Sequence, residues 1–382
     1  MSAFAFPFRI SIQERWAIPQ PALLLAAQLT QAAGPYAAIL LTGYRFGLSE
    51  AGQLAYAQAL SLPVFQLLSL QLKPLLLTHT ALELPIGAAI RLRWATSLLG
   101  LVWLLALLPW AGSAAALAAS LRWLENWSDI FTAHWQKDAA ALRVFFASIL
   151  RTLGLALSLA LAPGLVPALA LASLCSLTVL VLVERPPRTA PARGFSYAPI
   201  LRRAFLLGFV LFLMAFQSSI PRLALEKWAN LEALGSFATL SVVLQIGTLV
   251  SSSFGQVLLP RLHSAPVPEI FRLLLWPFSA GALILSAAHL LPLPAANGPV
   301  FQALCWAQLT SWPAAFLGCA LTAKRLYRAQ VWIVASLAAI SAAASALLVP
   351  RLGAAGAAYA LGVTGAAMLL LSGIVLQRSS RL

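Results

Sequence analysis

Apolar runs of about 20 residues follow one another along nearly the whole chain, separated by short polar breaks. A run of that length crosses the ~30 Å hydrocarbon core of a bilayer as a helix. Inside hydrocarbon every backbone N–H and C=O must find its partner within the protein, which leaves helices and closed barrels. The alternating-polarity strands of a barrel are absent. Charged residues make up 9% of the 382 positions and hydrophobic ones 61%, whereas soluble domains are about a quarter charged. The expectation is an all-α polytopic membrane protein. Twelve spans are read, at 21–42, 53–77, 92–111, 114–136, 141–162, 165–183, 204–224, 234–258, 270–292, 300–322, 329–350 and 353–376. Residues 1–20 form a short lead-in carrying Arg9 and Arg15, with no cleavable signal evident.

The longest polar break, 184–203, holds Pro186, Pro187, Pro191 and Pro199, which keep it from continuing a helix. It divides the chain into an N-terminal six-helix lobe (1–183), a basic cytoplasmic linker (184–203) and a C-terminal six-helix lobe (204–382). Nineteen of the 25 Lys and Arg, among them Lys73, Arg91, Arg93, Lys137 and Arg143, fall in one alternate set of loops and tails. The positive-inside rule makes that set, and both termini, cytoplasmic.

The halves repeat at an offset of 183 residues: Gly52 and Ala55 match Gly235 and Ala238, and Trp123 and Ser128 match Trp306 and Ser311. Six spans per half make the repeat parallel, about an axis along the membrane normal. The offset also exposes an asymmetry. Arg122, Glu125 and Asp129 correspond to Cys305, Gln308 and Trp312, so the charged group belongs to the N-terminal half alone.

That group lies in Leu121–Ile130, where Arg122, Glu125, Asn126 and Asp129 stand at i, i+3, i+4 and i+7, on one helical face. Ionisable residues in a bilayer helix cost roughly 2.5–3.5 kcal/mol each on insertion scales and face a partner or a wet cavity. At 1.5 Å per residue Arg122 is ~12 Å deep, Glu125 ~17 Å, and Arg151 of the next span ~15 Å from the opposite side. The short connection between these spans brings Arg151 to Glu125 or Asp129. Two readings stay open. The charges form an internal lock between helices, or one or both guanidiniums are free for phosphate, which Arg grips bidentately.

The other intramembrane polar residues are mostly neutral: Gln28 and Gln31 in the first span, Gln58, Gln66 and Gln71 in the second, Gln217 before Arg222 in the seventh, Gln245 in the eighth and Gln308 in the tenth. Such groups suit a sugar-like ligand, or serve as ordinary interhelical hydrogen bonds. Enzyme signatures are lacking: no HExxH, GxSxG or phosphate-loop pattern appears, and no loop has room for a catalytic domain. Cys175, Cys305 and Cys319 have neither disulfide nor metal spacing, so no metal or cofactor is expected. The net charge of +15 lies in short loops rather than on a soluble face, which excludes nucleic acid as a partner. The segment 78–93 lacks the Asp-Arg-Gly signature of major facilitator carriers.

The runs GLSEAGQLAYAQALSLPVFQLLSLQLKPLLL (47–77), SSIPRLALEKWANLEALGSFATLSVVLQIGTLVSSSFGQVLLPRL (218–262) and RLGAAGAAYALGVTGAAMLLL (351–371) resemble bacterial polysaccharide exporters of the Wzx flippase type, within the MATE-like multidrug/oligosaccharidyl-lipid/polysaccharide superfamily. The resemblance implies twelve helices in two lobes around a central cavity, in the bacterial inner membrane. It implies carriage of a polyprenyl-pyrophosphate-linked oligosaccharide to the outer leaflet, alongside glycosyltransferases and a glycan polymerase. It assigns the head group to Arg122, Arg151 and Arg222, with Glu125 or Asp129 as ion-coupling candidates. The alternative it leaves is a MATE-like multidrug antiporter, in which those acids bind H⁺ or Na⁺ in exchange for a cationic drug.

Overall fold

Two pairs of apolar runs are joined with almost no loop. In the computed structural model, α4 (Ile86–Lys137) is 52 residues long, which straight would measure ~78 Å, far more than a bilayer is thick. It breaks at Gly112, whose φ of 83° and ψ of 175° suit only a residue without a Cβ. The arms fold back on one another: the Trp123 indole donates to the Ser97 carbonyl at 3.1 Å, and the Trp94 and Trp127 rings meet edge-on at 4.9 Å. The last helix, α12 (Tyr327–Ser379), breaks in the same way at Gly353, with φ 56°. Beyond that turn Gly356 lies against the Leu348 carbonyl.

The structure describes residues 20–78, 84–138, 140–184, 196–258, 262, 265–290, 298–324 and 326–379. The N-terminal lead-in, most of the linker (185–195), His79 and His263 lie outside them. In order, the helices are α1 (Gln20–Phe46), α2 (Leu48–Ser69), the short α3 (Leu72–Thr78), α4, α5 (Ala141–Leu161) and α6 (Leu165–Val179). Then come α7 (Ala198–Trp228), α8 (Leu231–Val257), α9 (Val267–Leu273), α10 (Leu275–Leu290), α11 (Pro299–Ala323) and α12. No strand occurs among the described residues. Among the described residues seven helices are long and apolar enough to cross a membrane, and their outward faces carry Leu, Val, Phe and Trp.

Two local features position the later site. First, α6 does not stop at Val179 but continues as a π-turn over Leu180–Glu184. Arg143 of α5 donates to the Val183 carbonyl and Trp135 of α4 to the Glu184 carbonyl, so the open end of that turn is satisfied by side chains. Second, α2 ends in two consecutive left-handed residues, Leu70 and Gln71, with φ 49° and 48°. The carbonyls freed there, of Leu68 and Ser69, accept from Arg93 at 3.0 and 3.1 Å. Arg93, which its sequence position places in a cytoplasmic loop, is 1% exposed. It is a buried clamp, because the helix end it satisfies is itself buried.

The halves meet along α2, which packs on α7 and α8. Near the start of α2 and α8 one core draws on both halves, including Leu54, Ala55, Leu225, Phe237 and Leu304. Toward the other end it gives way to two separate clusters. One is built mainly from residues between 70 and 133, the other from residues between 262 and 376. The space left between them is the cavity.

Candidate functional site

The polar face of the second α4 arm opens onto a cavity of about 690 Å³ between the two halves, the size of a typical ligand site. Arg122, Glu125, Asn126 and Asp129 all line it. Their heptad-like spacing aims them at one space, and the Asn126 amide, donating to the Phe65 carbonyl at 3.2 Å, fixes that arm against α2. From α1 come Gln28, Gln31 and Tyr36, and from α2 Gln58 and Gln66. The C-terminal half adds Gln217, Ser218 and Arg222 of α7, Gln245 and Thr248 of α8, and Gln308 and Ser311 of α11. Thr248 donates to the Gln308 side-chain oxygen at 3.2 Å, so those two groups orient each other across the α8–α11 contact.

The charges are not equivalent. Arg122 donates to Glu125 at 2.7 Å, one turn along the same helix. Asp129 faces Lys73 of α3 at 3.6 Å. Lys73 thus reaches into the protein rather than standing in a loop, because the break at Leu70–Gln71 turns α3 back under α4. Arg222 lines the cavity and makes no hydrogen bond or ion pair with any described residue. Its electrostatic neighbours are Tyr36 and Arg122, and the second of these is a like charge. An unmatched guanidinium in a partly dry site costs several kcal/mol. It is stable only with an anion or with water supplied from the cavity.

Arg151 differs from expectation. It does not line the main cavity and does not pair with Glu125 or Asp129. Its guanidinium donates to Glu184 at 2.8 Å, and the same carboxylate accepts from Ser128 at 2.7 Å. Glu184 is 1% exposed. The physical reason is packing: α5 lies chiefly on α1 and α6, so Arg151 meets the end of α6 before it meets α4. Glu184 reads from sequence as the first residue of a polar linker, and only the π-turn draws it inward.

Beside this pair is a small hollow of about 50 Å³, lined by Gln31, Glu125, Ser128, Ser148, Arg151 and Thr152 among others. Gln31 and Glu125 line both spaces. No cluster of His, Cys, Asp and Glu able to hold a metal occurs among the described residues.

Neither a family model nor a characterised protein matches the sequence. Solved structures do. The lipid II flippase MurJ in an inward closed conformation superposes with a TM-score of 0.70 at 11% identity, covering 95% of this chain and 88% of that one. An outward-facing multidrug resistance MATE family transporter of the MOP superfamily gives 0.60 at 12%, covering 95% and 94%. A MOP superfamily transporter from Pyrococcus furiosus gives 0.53 at 12%, again covering 95% and 94%. At such identities the likeness is one of fold. The chain is a multi-pass, all-helical membrane protein with the fold of these transporters.

Proposed function

We propose that the chain is a flippase for an anionic, lipid-linked glycan, moving a polyprenyl-pyrophosphate oligosaccharide from the inner to the outer leaflet of a bacterial inner membrane. In this reading α2 with α3 and α9 with α10 each make one crossing. The arms of α4 and of α12 make two each, giving twelve, arranged as two six-helix lobes about the 184–203 linker with both termini cytoplasmic. The α2–α8 crossing then lies at the outer face, and the cavity belongs to the inward-facing side of an alternating-access cycle.

The observation that carries the reading is Arg222. Around the cavity Glu125 is matched by Arg122 and Asp129 by Lys73, which leaves one cavity cation without a counter-ion among the described residues. A phosphate oxygen entering between Arg222 and Arg122 relieves the repulsion between them and competes with Glu125 for Arg122. The amides of Gln28, Gln31, Asn126, Gln217, Gln245 and Gln308 supply neutral donors and acceptors for sugar hydroxyls. The prenyl tail stays in lipid. An inside-negative potential favours outward movement of the anion by ~2.3 kcal/mol per charge per 100 mV. Glu125 and Asp129 act here as internal counter-ions that the substrate displaces. The fold likeness to a lipid II flippase supports a lipid-linked substrate by analogy.

A cationic-drug antiporter on the same fold needs a free cavity carboxylate, and the two cavity acids among the described residues are both engaged. Deletion in the native host separates the two functions. Loss of surface glycan with unchanged drug sensitivity, restored by the intact chain but not by Arg222→Gln, is expected. Drug hypersensitivity with surface glycan intact would refute the flippase assignment.

A further inference from the structure

We infer that Arg151 is a reserve counter-ion rather than a ligand: when the substrate's phosphate draws Arg122 away from Glu125, Arg151 takes Glu125 over across the small hollow between them. The inference rests on the flippase reading of the cavity. It adds a residue outside the cavity that sets the affinity of the site.

Glu125 lines two spaces, each of which also holds an arginine. On the cavity side Arg122 holds it at 2.7 Å. On the other side it shares the wall of the 50 Å³ hollow with Arg151. Ser128, Ser148 and Thr152 bring hydroxyls to that hollow's otherwise largely apolar wall, and it has the volume of a water or two. Arg151 uses one terminal nitrogen on Glu184, while its buried Nε has no hydrogen-bond partner among the described residues. Ser128, which also holds Glu184, lies one turn beyond Glu125 on the same face of α4. Ser128 thus brings the Glu184 carboxylate against the α4 turn that carries Glu125. A guanidinium has five donors in a flat fork, enough to serve two carboxylates at once.

The charge balance follows. In the empty protein Arg122 neutralises Glu125, and Arg151 neutralises Glu184. A phosphate on Arg122 and Arg222 would strand Glu125 in a site of low dielectric, and that cost would be charged against binding. Arg151, bridging Glu125 and Glu184, removes most of it. No proton or metal ion is needed. Glu184 opposes the transfer by holding Arg151 back, with Ser128 as its second donor.

The test is calorimetric titration of inorganic pyrophosphate into the purified full-length chain at fixed ionic strength. Arg151→Gln is expected to bind about tenfold more weakly than the wild type. Glu184→Gln is expected to bind more tightly, since Arg151 is then released toward Glu125. Glu125→Gln frees Arg122 outright, and in that background Arg151→Gln should have no further effect. Should Arg151→Gln alone fail to fold, the Arg151→Gln/Glu184→Gln pair keeps a neutral hydrogen-bonded contact there and is compared with Glu184→Gln. Equal affinity in Arg151→Gln, or the same loss with and without Glu125, overturns the reserve role while leaving the flippase reading intact. A wild type without affinity for pyrophosphate overturns both.

Discussion

Gly52 and Gly235 cross face to face, each against the backbone of the other's helix. A Cβ on Gly52 would stand 1.8 Å from the Leu231 carbonyl oxygen, and a Cβ on Gly235 would stand 1.8 Å from that of Leu48. The two contacts are related by the same 183-residue offset that relates the glycines, so a local two-fold passes between α2 and α8. Any side chain at either position forces the helix ends apart.

Under the proposed alternating-access cycle, a side chain at this crossing should bias the equilibrium between its two states. Overpacking costs about 1–3 kcal/mol, enough to move a two-state equilibrium by roughly five- to 150-fold. Gly52→Ala and Gly235→Ala are each expected to favour the state open at the crossing end. In a background with the native cysteines replaced, Gln58→Cys should react with an impermeant maleimide from outside about tenfold faster in either variant. Unchanged labelling in both would remove the gate.

Arg93 holds the end of α2 rather than touching the cavity ligands. Arg93→Leu leaves the Leu68 and Ser69 carbonyls without their donor in a buried place. A loss of roughly 2–5 kcal/mol in stability is expected, seen as a lower Tm of the detergent-purified protein. Pyrophosphate affinity of the fraction that stays folded should hold. A variant with wild-type Tm contradicts the clamp.

Gly112 turns the α4 hairpin at φ 83°, ψ 175°. Gly112→Ala is expected to cost about 1–3 kcal/mol, whereas Ala at the ordinary helical position Gly154 meets only the Cys175 side chain and should cost less. Thermal unfolding of the two variants side by side checks the difference.

What the sequence disclosed and what it hid divide along one line. Periodicity is local, so the shared face of Arg122, Glu125, Asn126 and Asp129 could be read from their spacing, and all four do line one cavity. The 183-residue offset was visible at Gly52 and Gly235, though not the fact that the two touch. Pairing is tertiary and was not legible. Arg151 was expected on Glu125 or Asp129 and sits on Glu184, because α5 leans on α6 and a π-turn carries Glu184 into the core. Lys73 and Arg93 looked like loop charges because charge alone cannot show that a break at Leu70 and Gln71 folds its flanks inward. Arg222 stood out from sequence no more than Arg122 did. Its distinction is the lack of a counter-ion among the described residues, which only the packed structure exhibits.

The claim that an unmatched Arg222 receives the anionic head group is tested most directly in proteoliposomes of equal protein content. There the transbilayer movement of a polyprenyl-pyrophosphate-linked sugar is compared with that of an uncharged lipid-linked sugar. The wild type is expected to move the pyrophosphate lipid, faster with the receiving side positive, and Arg222→Gln to slow it at least tenfold. Correctly folded Arg222→Gln moving the charged lipid at the wild-type rate would contradict that claim.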